Sequence, residues 1–255
     1  MGNLWPREHG AYAQLGFPLL TGLIYAGGDP GAVAFAAVAV CHFLAHEPLA
    51  LLTGMRGARL KKELEESAWV RLVMLAVLSG VALLGAFLFS PARAWLGAAF
   101  PAALGLMLVP LFLARRIKTV AGELLVAAAS AAALLPVALA GGTPDAVAIL
   151  AAAVWFAATA PAVVAVHAIK AANKPGAGNG WVIPGAPLLA GLVLVLAIAT
   201  ASLLPSPSMM ALAALPLPMA VLGLSVLRPH PRHLKRIGWT LVVANTLTLV
   251  LLLVL

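Results

Sequence analysis

The run His42–Phe43–Leu44–Ala45–His46–Glu47–Pro48 sets two imidazoles four residues apart with a carboxylate beside the second. On a helix that spacing puts His42 and His46 one turn apart on one face. Imidazoles exchange protons near neutral pH, and together with a carboxylate they are also metal donors. His46, Glu47 and His42 are therefore the candidate catalytic residues. Two ligands on one helix make a weak metal site, and the chain has no second HxxxH or ExxH motif to complete one. The sequence assigns no metal ligand and names no cofactor. The competing structural role is helix-end hydrogen bonding, with Glu47 paired to a nearby arginine.

Arg56 and Arg59 follow closely, with Gly54 and Gly57 around them. A guanidinium pair beside a flexible backbone suits recognition of phosphate or carboxylate, and anchoring to anionic lipid is the equal alternative. Arg59/Glu63, Lys61/Glu65 and Lys62/Glu66 at i,i+4 predict a short solvated helix across residues 56–66. Farther on, Arg115–Arg116–Ile117–Lys118–Thr119 precedes Glu123, a carboxylate about one turn inside an apolar run. Such a group needs a partner, and Lys118 or Arg116 is the obvious one. His167, Lys170 and Lys174 then lead into Pro175–Gly176–Ala177–Gly178–Asn179–Gly180, a loop by composition. Its GxGxG follows no strand, which excludes a Rossmann reading. With His9, at the entrance to the first apolar run, the candidate substrate-binding set is His9, Arg56, Arg59, Lys118, Glu123, His167 and Lys170. The last basic loop, residues 228–236, reads as a lipid-facing anchor.

These residues are held by a chain of 255 residues that is 63% hydrophobic and 9% charged, with a mean hydropathy of +1.06. Soluble domains carry roughly 25% charged residues. The composition fits one all-α, polytopic transmembrane domain over residues 1–255. Apolar windows of membrane-crossing length predict nine spans: Ala11–Ala26, Gly31–Leu52, Trp69–Phe89, Ala94–Leu113, Val120–Leu139, Ala146–His167, Ile183–Leu203, Met209–Leu227 and Ile237–Leu255. The first reads as a retained span, not a cleaved leader. All of the sixteen Lys and Arg residues except Arg93 fall on one side of this ladder, so the positive-inside rule places the N-terminus in the cytoplasm. The six histidines fall near that same boundary. A net charge of +8 gathered in short inter-helix loops is a topology signal and not a nucleic-acid footprint. Cys41 stands alone, which excludes an intramolecular disulfide and a CxxC motif.

The opening Pro6–Arg7–Glu8–His9–Gly10–Ala11–Tyr12–Ala13, taken with His46–Glu47–Pro48 and the arginine-rich loop behind it, resembles the YwiC-like family of bacterial integral membrane proteins along the whole chain. The layout is also similar to the UbiA superfamily of intramembrane prenyltransferases: nine spans, N-terminus inside, polar cytoplasmic loops after spans 2 and 6, and a basic segment before span 5. The second resemblance implies a bundle with a cavity and, in its specific form, prenyl transfer. Where that superfamily carries Asp-rich loops that hold magnesium, this chain has His42, His46 and Glu47 in the first and no carboxylate in the second. The expectation is an intramembrane, UbiA-like enzyme of the inner membrane, acting on a lipid-like substrate with an anionic head at the cytoplasmic side. The alternative is a transporter for a small anion or metabolite, with Pro101, Pro110, Pro136, Pro161, Pro216 and Pro218 marking broken helices around a central site.

Overall fold

The computed structural model describes residues 9–172, 182–204, 208–227, 230 and 233–255. Among them the only regular elements are helices: α1 (His9–Tyr25), α2 (Pro30–Leu52), α3 (Ala58–Phe89), α4 (Ala92–Leu113), α5 (Val120–Ala132), α6 (Leu134–Ala140), α7 (Asp145–Ala172), α8 (Val182–Leu203), α9 (Pro216–Leu227) and α10 (Leu234–Val254). A 3₁₀ segment, Ser208–Ala214, precedes α9. Eight stretches are long and apolar enough to cross a membrane, counting α5 with α6 as one and the 3₁₀ segment with α9 as another. α1, at 17 residues, is about 26 Å long and sits at the lower edge of spanning length. The chain is thus an all-α, multi-pass membrane protein of about nine crossings.

Local chemistry sets the helix ends. Asp29 caps α2 by accepting from the Ala32 N–H at 3.1 Å, and Pro30 occupies the first turn, where its missing N–H costs nothing. At the other end the chain turns through Gly54 (φ +73°) and Gly57 (φ +94°), conformations that side chains with a Cβ resist. α3 then begins at Ala58 and runs 32 residues without interruption. The short solvated helix expected over residues 56–66 is instead the first part of the third span. At about 48 Å, α3 exceeds the hydrocarbon thickness by about 18 Å, and its charged first turns account for the excess.

Burial separates an inner from an outer layer. The span α5–α6 and helix α7 are 67% and 61% buried across their apolar windows, against 17% for α3 and 6% for α4. All seven residues of α6 are buried, and it packs against α1, α2, α4 and α7. Small residues permit that approach. A Cβ on Gly22 of α1 would lie 3.0 Å from Val137 Cγ1, and one on Gly97 of α4 would lie 2.8 Å from Leu139 Cδ1; close backbone contact of this kind is what drives helix association in lipid. α3 rests almost wholly on α2, whereas α4 lies on α5 and α6. The central span is broken at Ala133, three residues before Pro136, which has no N–H to offer the Ala132 carbonyl. The eighth span is broken likewise between the 3₁₀ segment and Pro216. Pro101, Pro110 and Pro161 lie inside unbroken helices.

Candidate functional site

Five helices, α1, α2, α4, α5 and α7, pack on one another in succession. α1 meets α2 through Tyr12 and Phe43 (centroids 5.2 Å apart), α2 meets α4 through His46 and Phe112 (5.7 Å), α4 packs on α5, α5 on α7, and α7 on α1. Four of the candidate residues on these helices and their loops form two charged pairs.

The first pair is Glu47 with Arg56. Glu47 is buried at 6% exposure near the end of α2. Arg56 folds back from the turn after α2, its Nε donating to Glu47 Oε2 at 3.0 Å and its Nη2 to Oε1. Fork-to-fork geometry of this kind is the strongest form of guanidinium–carboxylate contact. The pair realises the structural role considered for Glu47, and it engages the guanidinium proposed for head-group recognition. Arg59 bonds Glu63 at 3.0 Å on the exposed side of α3, while the pairings Lys61/Glu65 and Lys62/Glu66 are not formed.

The second pair joins two helices. Glu123, in the first turn of α5, accepts from His167 Nε2, five residues before the end of α7, at 3.0 Å. Both side chains are mostly shielded, at 24% and 15% exposure. The partner shown for Glu123 is thus His167 of α7, 44 residues away, where the sequence pointed to Lys118 or Arg116. Thr119 positions the carboxylate by capping α5: its hydroxyl accepts from the Gly122 N–H at 3.2 Å. Gly122 lets the loop fold onto the helix, since a Cβ there would sit 2.5 Å from the Ile117 carbonyl oxygen and 2.8 Å from that of Arg116. Lys118 is thereby held, exposed, beside the start of α5, and Lys170 is exposed one turn beyond His167. With Nε2–H given to Glu123, the neutral imidazole keeps Nδ1 as its proton acceptor.

The other candidates are not drawn into either pair. His42 is exposed, and its Nδ1–H donates to the Val38 carbonyl of its own helix at 2.8 Å. His46 packs edge-on against Phe112. Among the described residues no three His, Cys, Asp or Glu side chains gather in a group able to hold a metal ion. His9 begins α1, with its side chain outside the described residues, as are Lys174 and the glycine loop 175–180.

A polar seam was not apparent from the sequence. Trp155 Nε1 donates to Thr21 Oγ1 at 3.0 Å in the buried interior, and Thr21 in turn donates to the Phe17 carbonyl. Tyr25 donates to the Leu252 carbonyl at 2.5 Å, tying α1 to α10, and Thr143 donates to the Tyr25 carbonyl at 3.3 Å. On α1 these residues sit at positions 21 and 25, one turn apart. That spacing was the available signal, but threonine and tyrosine in apolar spans are common enough to pass unnoticed.

Residues 5–139, more than half of the chain, match the family model described as YwiC-like protein. The chain belongs to the YwiC-like family. The match covers α1 to α5 and all but the last residue of α6, and with them Glu47, Arg56 and Glu123; His167 lies beyond it. A YwiC-like resemblance along the whole chain was expected, and the matched part is this N-terminal half. No curated protein and no solved structure matches the chain.

Proposed function

We propose that this YwiC-like protein is an enzyme of the cytoplasmic membrane that acts on a lipid-like substrate with an anionic head group, using His167 and Glu123 as its acid/base pair. The supporting observation is the 3.0 Å bond between His167 and Glu123, both largely shielded, on two different helices at the basic end of the bundle. An imidazole oriented by a carboxylate is the usual construction of a general base, and ionisable groups at membrane depth mark functional sites by default. In the proposed reaction Nδ1 of His167 takes a proton from the substrate and returns it, Glu123 holds the ring and stabilises the imidazolium, and Lys118 and Lys170 attract the anionic head. Glu47 and Arg56 fix the turn between α2 and α3. His42 and His46 line the same rim as secondary contacts. The positive-inside rule turns this face to the cytoplasm.

The test compares the lipid composition of membranes from cells overproducing the wild type, His167→Ala and Glu123→Gln at matched protein levels. The expected result is a lipid species consumed or formed with the wild type and unchanged with either variant. A lipid profile that shifts equally with His167→Ala ends the proposal.

A transporter is the second reading, favoured by the two interrupted spans, because broken helices build substrate sites in many carriers. Here His167 and Glu123 would carry the coupled proton. Counterflow in proteoliposomes separates the two: saturable exchange of a small metabolite belongs to a carrier, and the enzyme reading expects none.

A further inference from the structure

Gln14 of α1 carries a buried side-chain nitrogen, Nε2, with no hydrogen-bond partner among the described residues. A buried donor left unpaired costs free energy, so its presence calls for an explanation. Its direction follows from its neighbours on α1. Thr21 takes the Trp155 indole N–H from α7, Phe17 stacks on the same ring with centroids 5.8 Å apart, and a Cβ on Gly22 would lie 3.0 Å from Val137 of α6. Seven residues make nearly two whole turns, so Gln14 lies about 20° from Thr21 around the helix and about 80° from Gly22. It therefore faces the seam between α7 and the span α5–α6, and α1 packs directly on α5 and on α7. Glu123 and His167 join those two helices across the same seam. The depth agrees. α1 and α7 run antiparallel, since Thr21 meets Trp155 while Tyr25, at the end of α1, accepts from Thr143 just ahead of α7. Gln14 is about 10.5 Å from Thr21 along α1 and His167 about 18 Å from Trp155 along α7, which leaves the two about 7.5 Å apart in height. A helical side chain leans toward its own N-terminus, so Gln14 leans toward the height of His167 and His167 toward that of Gln14. Buried residues of α5 and α7 at this depth include Ala127, Ala158 and Ala162, whose methyl groups supply neither a hydrogen-bond partner nor much bulk.

We infer that Gln14 is a third polar residue of the Glu123–His167 site, and that the group bound between Gln14 and His167 is a hydroxyl of the lipid head. The donors and acceptors decide the class. Nδ1 of His167 accepts a proton and Nε2 of Gln14 offers one. One hydroxyl meets both, because its O–H donates to Nδ1 while an oxygen lone pair accepts from Nε2. An ammonium has no lone pair with which to accept, and a phosphodiester has no proton to give. The inference rests on the acid/base reading of His167 and deepens it: the proton that Nδ1 takes is a hydroxyl proton. Lys170, exposed one turn beyond His167, suits a phosphate on the same head.

The experiment is native mass spectrometry of the full chain released from bilayers of equal phosphatidylglycerol and phosphatidylmethanol with matched acyl chains. Both lipids are singly charged phosphodiesters, and only the first carries hydroxyls. The wild type is expected to retain phosphatidylglycerol over phosphatidylmethanol about tenfold, the scale of one buried hydrogen bond. Gln14→Leu keeps the bulk, removes the amide, and is expected to bring that ratio to about one. Its melting temperature in detergent should not fall, because the Nε2 donor has no bond within the described residues for leucine to lose. His167→Ala should lower the ratio likewise. Equal retention or none by the wild type, an unchanged ratio in Gln14→Leu, or a ratio lost together with a lowered melting temperature would each overturn the inference. Its failure is distinct from that of the enzyme reading. A wild type that prefers phosphatidylglycerol without altering the lipids of the cell keeps the hydroxyl site and loses the enzyme, whereas altered lipids without the preference do the reverse.

Discussion

Glu47 is buried and meets Arg56 with both of its oxygens, while Arg56 is itself 36% exposed. Removing the guanidinium leaves the carboxylate buried alone, and that penalty exceeds the worth of the pair when formed. Arg56→Ala is expected to lower stability by about 1–3 kcal/mol, less than a fully buried pair because water reaches one side. Arg59→Ala, at a side chain 93% exposed, should leave the melting temperature in detergent unchanged. Equal melting of the two variants would refute a structural role for the Glu47–Arg56 pair. Thr21→Val takes the acceptor from the Trp155 indole and is expected to cost about 0.6 kcal/mol, the average for hydrogen bonds between helices in membranes, read as a lowered unfolding midpoint; a midpoint equal to wild type would mean the bond adds nothing. At this scale the sequence told less than its motif implied. His42 and His46 share a helix face, yet His42 spends its Nδ1–H on its own backbone, because spacing along one helix carries no information about what the neighbouring helix presents. The partnership of Glu123 with His167 depends on α5 packing against α7, a fact of tertiary structure. Both residues were legible as candidates, and their pairing was not.

Helix boundaries were far more legible, because hydropathy, Pro and Gly act locally. The predicted spans agree with the observed ones to within about three residues, apart from the end of α7, which runs five residues past His167 to Ala172, and the continuous start of α3, where the charged i,i+4 pattern was read as a separate helix although residues 58–69 contain no Gly or Pro to stop it. Interruptions were harder to foresee. Pro136 and Pro216 accompany breaks whereas Pro101, Pro110 and Pro161 do not, since a proline inside a membrane helix is tolerated where neighbours meet the freed carbonyl. The glycines show the same dependence on context. At Gly141, which ends α6, an added Cβ would strike the backbone of Ala26, whereas around Gly80 in α3 nothing lies within 4 Å. Gly141→Ala should therefore separate α1 from α6 and reduce the yield of monodisperse protein, and Gly80→Ala should not. A stable Gly141→Ala protein with wild-type elution would show that this contact gives way easily.

For the whole molecule, the sided distribution of charge predicts the outcome of reporter fusions. A fusion after Arg115, in the loop between α4 and α5, should report the cytoplasm, and one after Gly142, between α6 and α7, should report the opposite side. Reversed signals would invert the bundle and move the proposed site to the outer face. The single opposite-side cation, Arg93, lies 3.7 Å from Asp145 at the starts of α4 and α7, so it adds little net positive charge there. The layered packing also bears on how the protein is made. α2 and α3 are consecutive and pair along their length, so that hairpin can assemble as soon as the ribosome has delivered it. The central α6 packs on α1, α2, α4 and α7, one of which is still unsynthesised when α6 emerges. For the time needed to translate α7 the alanine-rich middle of the protein has lipid where it will later have protein, and a quality-control protease that recognises loosely packed membrane helices would meet its best substrate in that interval. Chains released after residue 141 should accordingly be short-lived, and chains released after residue 172 markedly less so.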